Sequence, residues 1–242
     1  MRIPWRNKRE GDWYDQDLLR TKHNHEFMGD PAFQAAYARG MQAAGTDYRW
    51  HWRVHTALWA AHCATKIAGD FVECGVGKGF MSSAIMSALN WDTLGRTFYL
   101  LDTFSGLNER YVNAEELKAG ALEKSKHLLD IGFYAKSSEA VTRNFSEWRN
   151  VDLIIGPVPE TLDRVKAERI AYLHLDMNCA PPEVAAVSFF WERLSVGAVI
   201  LFDDYAYFGY RPQKIAIDEF AASKGVAVLS LPTGQGLMLK PP

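Results

Sequence analysis

Downstream of Asp70, short and nearly continuous apolar runs alternate with stretches in which apolar residues recur every three or four positions. Runs such as LIIG, AYLHL and AVILF belong to strands covered on both faces, and the longer period belongs to the helices that cover them. The pattern predicts seven strands, at 71–75, 97–102, 151–156, 170–176, 198–203, 226–231 and 237–240. This is an α/β chain: a Rossmann-like, mostly parallel seven-stranded sheet with helices on both faces and an N-terminal helical extension. The last two strands are joined by PTGQG, too short for a crossover helix, so the last strand runs antiparallel.

Helices are predicted at 81–89, at 215–222 with a stop at Gly225, and along Val184, Val187, Trp191 and Leu194 behind the first-turn pair Pro181-Pro182. Residues 47–68 read as a helix with Val54, Leu58, Ala61, Ala64 and Ala68 on one stripe. Between 103 and 150 the connection is long enough for two helices. One spans 113–129 and opens with Asn113 and Glu116 spaced as a capping box; the other spans 137–148. The first forms an insertion at about 105–135 above the carboxyl edge of the sheet, and reads equally as a lid or as a solvated surface helix. Two regions result: an extension, 1–46, with the character of a lid or dimer segment, and an α/β domain, 47–242.

Composition narrows the function classes. With 242 residues, 48% hydrophobic and 23% charged, the chain suits one large globular domain. Its 27 Lys and Arg against 29 Asp and Glu leave a net charge of −2, so no global basic field draws it to nucleic acid or an anionic membrane. The basic start, Arg2, Arg6, Lys8 and Arg9, reads as a solvated terminus. No apolar run is long enough to span a bilayer, and the first residues lack the apolar core of a secretion signal, which favours a soluble, cytoplasmic protein. Cys63, Cys74 and Cys179 show no Cys-x-x-Cys spacing, so neither a disulfide framework nor a zinc knuckle is indicated. Aromatic residues are abundant, at 8 Trp, 10 Tyr and 13 Phe. Part of them cluster in the first 60 residues and after Asp204, where a pocket wall or lid is a better expectation than core. Tyr205, Tyr207, Phe208 and Tyr210 are wall candidates, and the N-terminal aromatics suit a homodimer face.

The main local signal is FVECGVGKGF, 71–80, a strand running through three alternating glycines into a helix. Such a loop brings backbone close to a ligand at a helix N-terminus. A phosphate-binding P-loop is excluded, because Val72 stands where its first glycine belongs and Gly79 where its hydroxyl belongs. A dinucleotide loop is disfavoured by Phe80, where close packing wants a small residue. Tyr210 and Lys214 mimic a dehydrogenase pair, but Pro212 between them does not suit the helix interior that such a pair needs. Asp102, at the second strand's tip, can accept ribose hydroxyls or cap a helix. Asp176 ends the fourth strand, and Asp203 and Asp204 end the fifth. If those strands are neighbours, three carboxylates share a small volume, so either some are protonated or a cation sits among them, and oxygen ligands suit a hard ion such as magnesium. His51, His55 and His62 share a helix face, but Trp52 replaces the glutamate of a zinc helix, so packing is the better reading. His174 reads as a satisfied core histidine, and Cys74 and Cys179 as small packing residues.

From about 53 to 241, the ordered motifs GDFVECGVGKG, LLDTFSGL, GPVPETL, LHLDMN, FDDY and SLPTGQG resemble class I S-adenosylmethionine-dependent methyltransferases of the macrocin O-methyltransferase type. The resemblance implies magnesium-dependent methyl transfer to a hydroxyl of a small molecule, often a sugar on a natural product. It implies cofactor binding by Glu73, Gly75, Val76, Gly77 and Gly79, by Asp102, Thr103 and Phe104, and by Gly156 and Pro157. It implies metal ligation by Asp176, Asp203 and Asp204, with Asp176 also the candidate proton acceptor. The family usually carries Asp where this chain has Asn178. The more distant catechol enzymes carry a lysine base where it has Cys179, so the base is not settled by motif. A non-catalytic adenosylmethionine- or nucleoside-binding module is the alternative reading, and an NAD oxidoreductase the third.

Overall fold

A computed structural model describes residues 13–242; the basic start lies outside them. A hairpin of β1 (Tyr14–Gln16) and β2 (Leu19–Thr21) comes first, turning through Asp17 and Leu18 at φ 51° and 60°. Two helices follow, α1 (Pro31–Ala44) and α2 (His51–Ala64). Helix α1 starts where the Asp30 side chain accepts the Ala32 N–H and Pro31 takes the first turn, and it stops at Gly45, φ 71°.

The α/β body runs β3 (Asp70–Cys74), α3 (Phe80–Leu89), β4 (Phe98–Asp102), α4 (Ala114–Lys118), α5 (Ala121–Asp130), α6 (Ser138–Phe145) and β5 (Val151–Ile155). It continues β6 (Ile170–Leu175), α7 (Ala180–Phe190), β7 (Leu194–Phe202), α8 (Arg211–Ser223), β8 (Leu229–Ser230) and β9 (Gly236–Leu239). The seven-stranded sheet has the order β5-β4-β3-β6-β7-β9-β8. Its strands are parallel except β9, which is antiparallel to both β7 and β8 and lies between them. The expected antiparallel last strand is therefore present, inserted rather than added at the edge.

Successive strand residues feed opposite layers, as the two-residue period requires. Phe71 and Leu100 join the core under α1, α2 and α3, whereas Val72 and Leu101 join the core under α7 and α8. Both layers are closed over β3, β4, β6 and the end of β7, which is why these central strands read as unbroken apolar runs; the edge strand β5 leaves Asp152 and Ile155 exposed.

The structure departs from the sequence reading at several points. The helix expected over 113–129 is broken by Gly120, φ 78°, into α4 and α5. Leu194 belongs to β7, which starts there and not at 198. The N-terminal aromatics divide: Tyr48 and Trp50 line the cavity at the carboxyl ends of the strands, as a pocket wall would, Tyr14, Phe33 and Tyr37 are core, and Trp13 and Trp59 are exposed. Phe33 and Tyr37 are buried because α1 packs on α3, where a Cβ on Gly40 would stand 2.8 Å from the Phe80 ring. No helix among the described residues is long and apolar enough to cross a membrane.

The chain goes outward from β3 to β4 and β5 and then returns to β6 on the other side of β3. At that reversal the loops after β3 and β6 diverge and leave a crevice at the carboxyl ends. Gly75 closes its floor: at φ 94° its missing Cβ would fall 1.9 Å from the Asp176 carbonyl oxygen.

Candidate active site

A cavity of about 480 Å³ opens at this reversal. Of the expected cofactor residues, Glu73, Gly75, Val76, Gly77, Asp102, Thr103 and Phe104 line it, as do Gly156 and Pro157; Gly79 does not. Gly79 precedes α3 at φ 83° and faces α6, where a Cβ would meet the Phe145 ring at 2.7 Å, so its smallness serves packing. The expected acids, Asp176, Asp203 and Asp204, line the same cavity. The insertion lies over it, contributing Lys124, Leu128, Phe133 and Tyr134.

The glycine loop is held from β4. One Asp102 oxygen accepts the Val76 N–H at 2.8 Å and the Gly77 N–H at 2.7 Å; the other accepts the Phe104 N–H at 2.7 Å. Burial raises the Asp102 carboxyl while these three donors oppose the shift. Asp102 therefore fixes the loop, and its second oxygen keeps a lone pair for another donor. A Cβ on Gly77, φ 54°, would meet no protein atom within 4 Å, so this position opens to the space a ligand would fill. Glu73 donates nothing and accepts from one side only: Oε1 lies 2.8 Å from His174 Nδ1, while Oε2 is buried without a partner. An open cradle beside an unpartnered carboxylate oxygen fits an aminoacyl nucleoside such as S-adenosylmethionine, whose ammonium can meet the oxygen.

The acids at the β6 and β7 tips are not bare. Arg53, 3% exposed on α2, reaches among them. Its Nε donates to Asp17 Oδ2 at 2.9 Å, its Nη1 to Asp203 Oδ2, and both Nη atoms lie 3.4 Å from Asp204 Oδ1. Asp203 Oδ1 accepts the Gln235 amide at 2.7 Å and stands 3.6 Å from His174 Nε2. Burial opposes ionisation of Asp203, but Arg53 and His174 hold its carboxyl well below the usual range. Burial outweighs Arg53 at Asp204 and lifts it to about 6. Asp176 is pushed well above the ordinary carboxylate value by burial and by the charges of Asp203 and Asp204. Burial works against an imidazolium at His174, yet Asp203 and Glu73 on either side raise it to about 10. A guanidinium thus stands among the three acids, and the carboxyls of Asp176 and Asp204 are shifted toward the neutral form. A divalent ion does not fit these residues: both Asp203 oxygens are engaged, and among the described residues no three His, Cys, Asp or Glu side chains are arranged to hold a metal.

A directed chain of hydrogen bonds reaches Asp176 from the insertion. Lys124 Nζ donates to the Tyr210 hydroxyl at 2.6 Å, Tyr210 donates to Asn178 Oδ1 at 2.5 Å, and Asn178 Nδ2 donates to Asp176 Oδ1 at 3.3 Å. Tyr210 only caps α8, so the Tyr-x-x-x-Lys pair is not within a helix. The capping box at Asn113 is formed, and its Glu116 also accepts the Ala180 N–H at 2.6 Å, tying the insertion to the start of α7. Among the aromatic wall candidates, Tyr207 and Tyr210 line the cavity, Phe208 is 86% exposed, and Tyr205 is buried in the core. Cys74 and Cys179 are buried with thiols raised by that burial, as packing residues are. His51 stacks on Tyr37 at 4.5 Å and His55 on Phe27 at 4.0 Å, so that helix face is aromatic packing.

Sequence reasoning missed Arg53, Asp17, Gln235 and Lys124. Arg53 had one signal: it directly precedes Val54, at the head of an otherwise apolar stripe, where a charge is expected only with partners.

A family profile described as macrocin O-methyltransferase (TylF) matches residues 53–229. The chain is 27% identical over 166 residues to demethyldecarbamoylnovobiocin O-methyltransferase of Streptomyces niveus, covering 66% of this chain and 61% of that protein. It is 29% identical over 150 residues to an 8-demethyl-8-(2,3-dimethoxy-alpha-L-rhamnosyl)-tetracenomycin-C 4′-O-methyltransferase of Streptomyces olivaceus, covering 59% of this chain and 55% of that one. The matches thus span less than two thirds of either relative. In structure, the fold superposes on the O-methyltransferase NovP with a TM-score of 0.70 at 19% identity, covering 90% of this chain and all of NovP.

Proposed function

The chain belongs to the macrocin O-methyltransferase family, and from that premise we propose that it transfers a methyl group from S-adenosylmethionine to a hydroxyl of a small molecule, of the sugar-bearing natural-product kind. The observation that carries this is that an open glycine cradle and the acidic strand tips line one cavity together with residues of the insertion. The rhamnosyl substrate of the tetracenomycin relative favours a sugar hydroxyl as acceptor. The bound sulfonium supplies an electrophilic methyl carbon, which a nucleophile must reach from the side opposite the sulfur.

The chain supplies the rest by position. Asp102 ties the loop in the conformation that leaves the Gly77 gap open, and Glu73 Oε2 offers an acceptor beside it. Asp176, which lines the same cavity at the neighbouring strand tip, is our candidate to orient the acceptor hydroxyl and take its proton. Placement of two reactants in line supplies much of the rate in such displacements. Burial and the charges of Asp203 and Asp204 raise the Asp176 carboxyl well above the usual carboxylate range, so its base form is reached at higher pH and turnover rises with pH across its titration. Tyr134, Phe133 and Leu128 from the insertion exclude water from the reacting centre. No step runs through a metal.

Calorimetric titration with S-adenosylmethionine, its demethylated product and NAD tests the reading. The expected result is binding of the first two. Binding of NAD alone would overturn it, and binding of the first two with no transfer to any sugar-hydroxyl acceptor would favour a non-catalytic module.

A further inference from the structure

The acidic strand tip has the charge of a metal site and the contacts of an arginine site. Arg53 spends its donors on three carboxylates from two distant parts of the chain: Asp17 of the hairpin, and Asp203 and Asp204 after β7. Its Nη1 also lies 3.3 Å from the Asp203 carbonyl oxygen. The guanidinium is packed 4.3 Å from the centre of the Tyr207 ring, and Tyr207 itself donates to Asp17 Oδ1 at 3.0 Å, so the side chain is held from more than one direction. At 3% exposure it has no solvent position to swing into without breaking these contacts. A guanidinium does not lose its proton in a protein, so this positive charge is permanent. Asp203, the acid it grips most closely, has its remaining oxygen on Gln235, whose amide is fully buried.

We propose that Arg53 is the resident cation of this site and takes the place of a divalent metal, so that the chain binds its ligands without one. Arg53 lines the cavity together with Asp176 and Asp204, so its charge acts where a metal's would. A planar guanidinium also differs from a hard ion in what it offers: it donates fixed hydrogen bonds and holds no exchangeable waters. The inference concerns ion binding and does not require that the family reaction be the right one.

The test is metal binding by the full-length protein after chelator treatment, read by calorimetry with Mg²⁺ and by electron paramagnetic resonance with Mn²⁺. The wild type is expected to take up neither ion at millimolar concentration, and to keep its melting temperature and its affinity for S-adenosylmethionine in chelator. Arg53→Met, which frees the acids, is expected to gain one bound Mn²⁺, and Arg53→Met with Asp204→Asn to lose it again. One equivalent of Mn²⁺ on the wild type that disappears in Asp204→Asn overturns the proposal, and this arm stands even if Arg53→Met does not fold. Failure to bind S-adenosylmethionine under all conditions would instead count against the proposed reaction and leave the ion result readable.

Discussion

Alanine at Gly75 and at Gly77 should produce opposite phenotypes, although the two glycines are two residues apart in one loop. At Gly75 the added Cβ would lie 1.9 Å from the Asp176 carbonyl oxygen and 2.5 Å from its carbon, both backbone atoms that cannot rotate away. Ordinary contact begins near 3.4 Å, so the β3 and β6 tips would have to part by well over an ångström at a φ of 94° that alanine rarely adopts. Such strain in a closed core costs about 3 kcal/mol or more, and at roughly 2–4 °C per kcal/mol the melting temperature should fall by about 6–12 °C. At Gly77 the new methyl meets no protein atom within 4 Å. Only the left-handed backbone at φ 54° resists it, for about 1–2 kcal/mol and a few degrees. That methyl would nevertheless occupy the cradle. Thermal melts and calorimetry with S-adenosylmethionine on both variants read the two effects separately. Gly77→Ala should lose binding with a nearly normal melt, and Gly75→Ala should lose stability first. Unchanged cofactor affinity in Gly77→Ala, or a melt within two or so degrees of wild type in Gly75→Ala, would refute the geometric reading.

Further expectations follow from the buried charges and the insertion. Asp176→Asn should abolish methyl transfer and leave S-adenosylmethionine affinity nearly intact, as steady-state rates and calorimetry on one preparation would reveal; a fully active variant sinks the proton-acceptor role. In the wild type, His174 is raised to about 10, above its unfolded value. Its contribution is therefore complete below about pH 6.5 and is lost as pH rises through 10, so melting temperature should decline over that window. His174→Gln should be destabilised by about 3–5 kcal/mol near neutrality, because Glu73 and Asp203 lose their shared cation. Its melting temperature should vary less between pH 7 and 10, and an unaltered slope there contradicts the assignment. Glu116→Ala removes both the capping-box acceptor and the bond to the Ala180 N–H. We expect a cost of about 1–2 kcal/mol, with faster amide exchange confined to the insertion and the first turn of α7.

The centre of the sheet was legible because β3, β4 and β6 and the end of β7 are buried on both faces, so AYLHL and AVILF have no polar phase to confuse, whereas LIIG lies on the edge strand β5, where Ile155 is exposed. The meeting of Asp176 with Asp203 and Asp204 was legible for the same reason, since parallel strands end together and β6 and β7 are paired. The hairpin was not, since two three-residue strands around Asp17 and Leu18 carry too few positions to show a period and no glycine marks the turn. Gly120 lies inside the helix expected over 113–129 but takes a left-handed conformation, φ 78°, through which an α-helix does not continue, and so separates α4 from α5. Arg53 fell within the expected helix 47–68 and was given no role. Its place beside the apolar stripe implies partners, but which ones is decided by tertiary structure alone.

The Arg53 network also bears on the order in which the molecule can assemble. Arg53 and Asp203 are 150 residues apart, and Tyr207 and Asp17 are 190 apart. While the chain is being synthesised, the hairpin, α2 and the first half of the sheet emerge with an arginine that has only Asp17 to meet. Its other carboxylates exist only after β7, and Gln235, which completes Asp203, comes after β8. Contacts of such separation form late and slow the search for the native state. The N-terminal half is thus obliged to wait with an unspent charge. A truncated or stalled chain ending before β7 would hold that charge in a half-built interior, where it opposes premature closure.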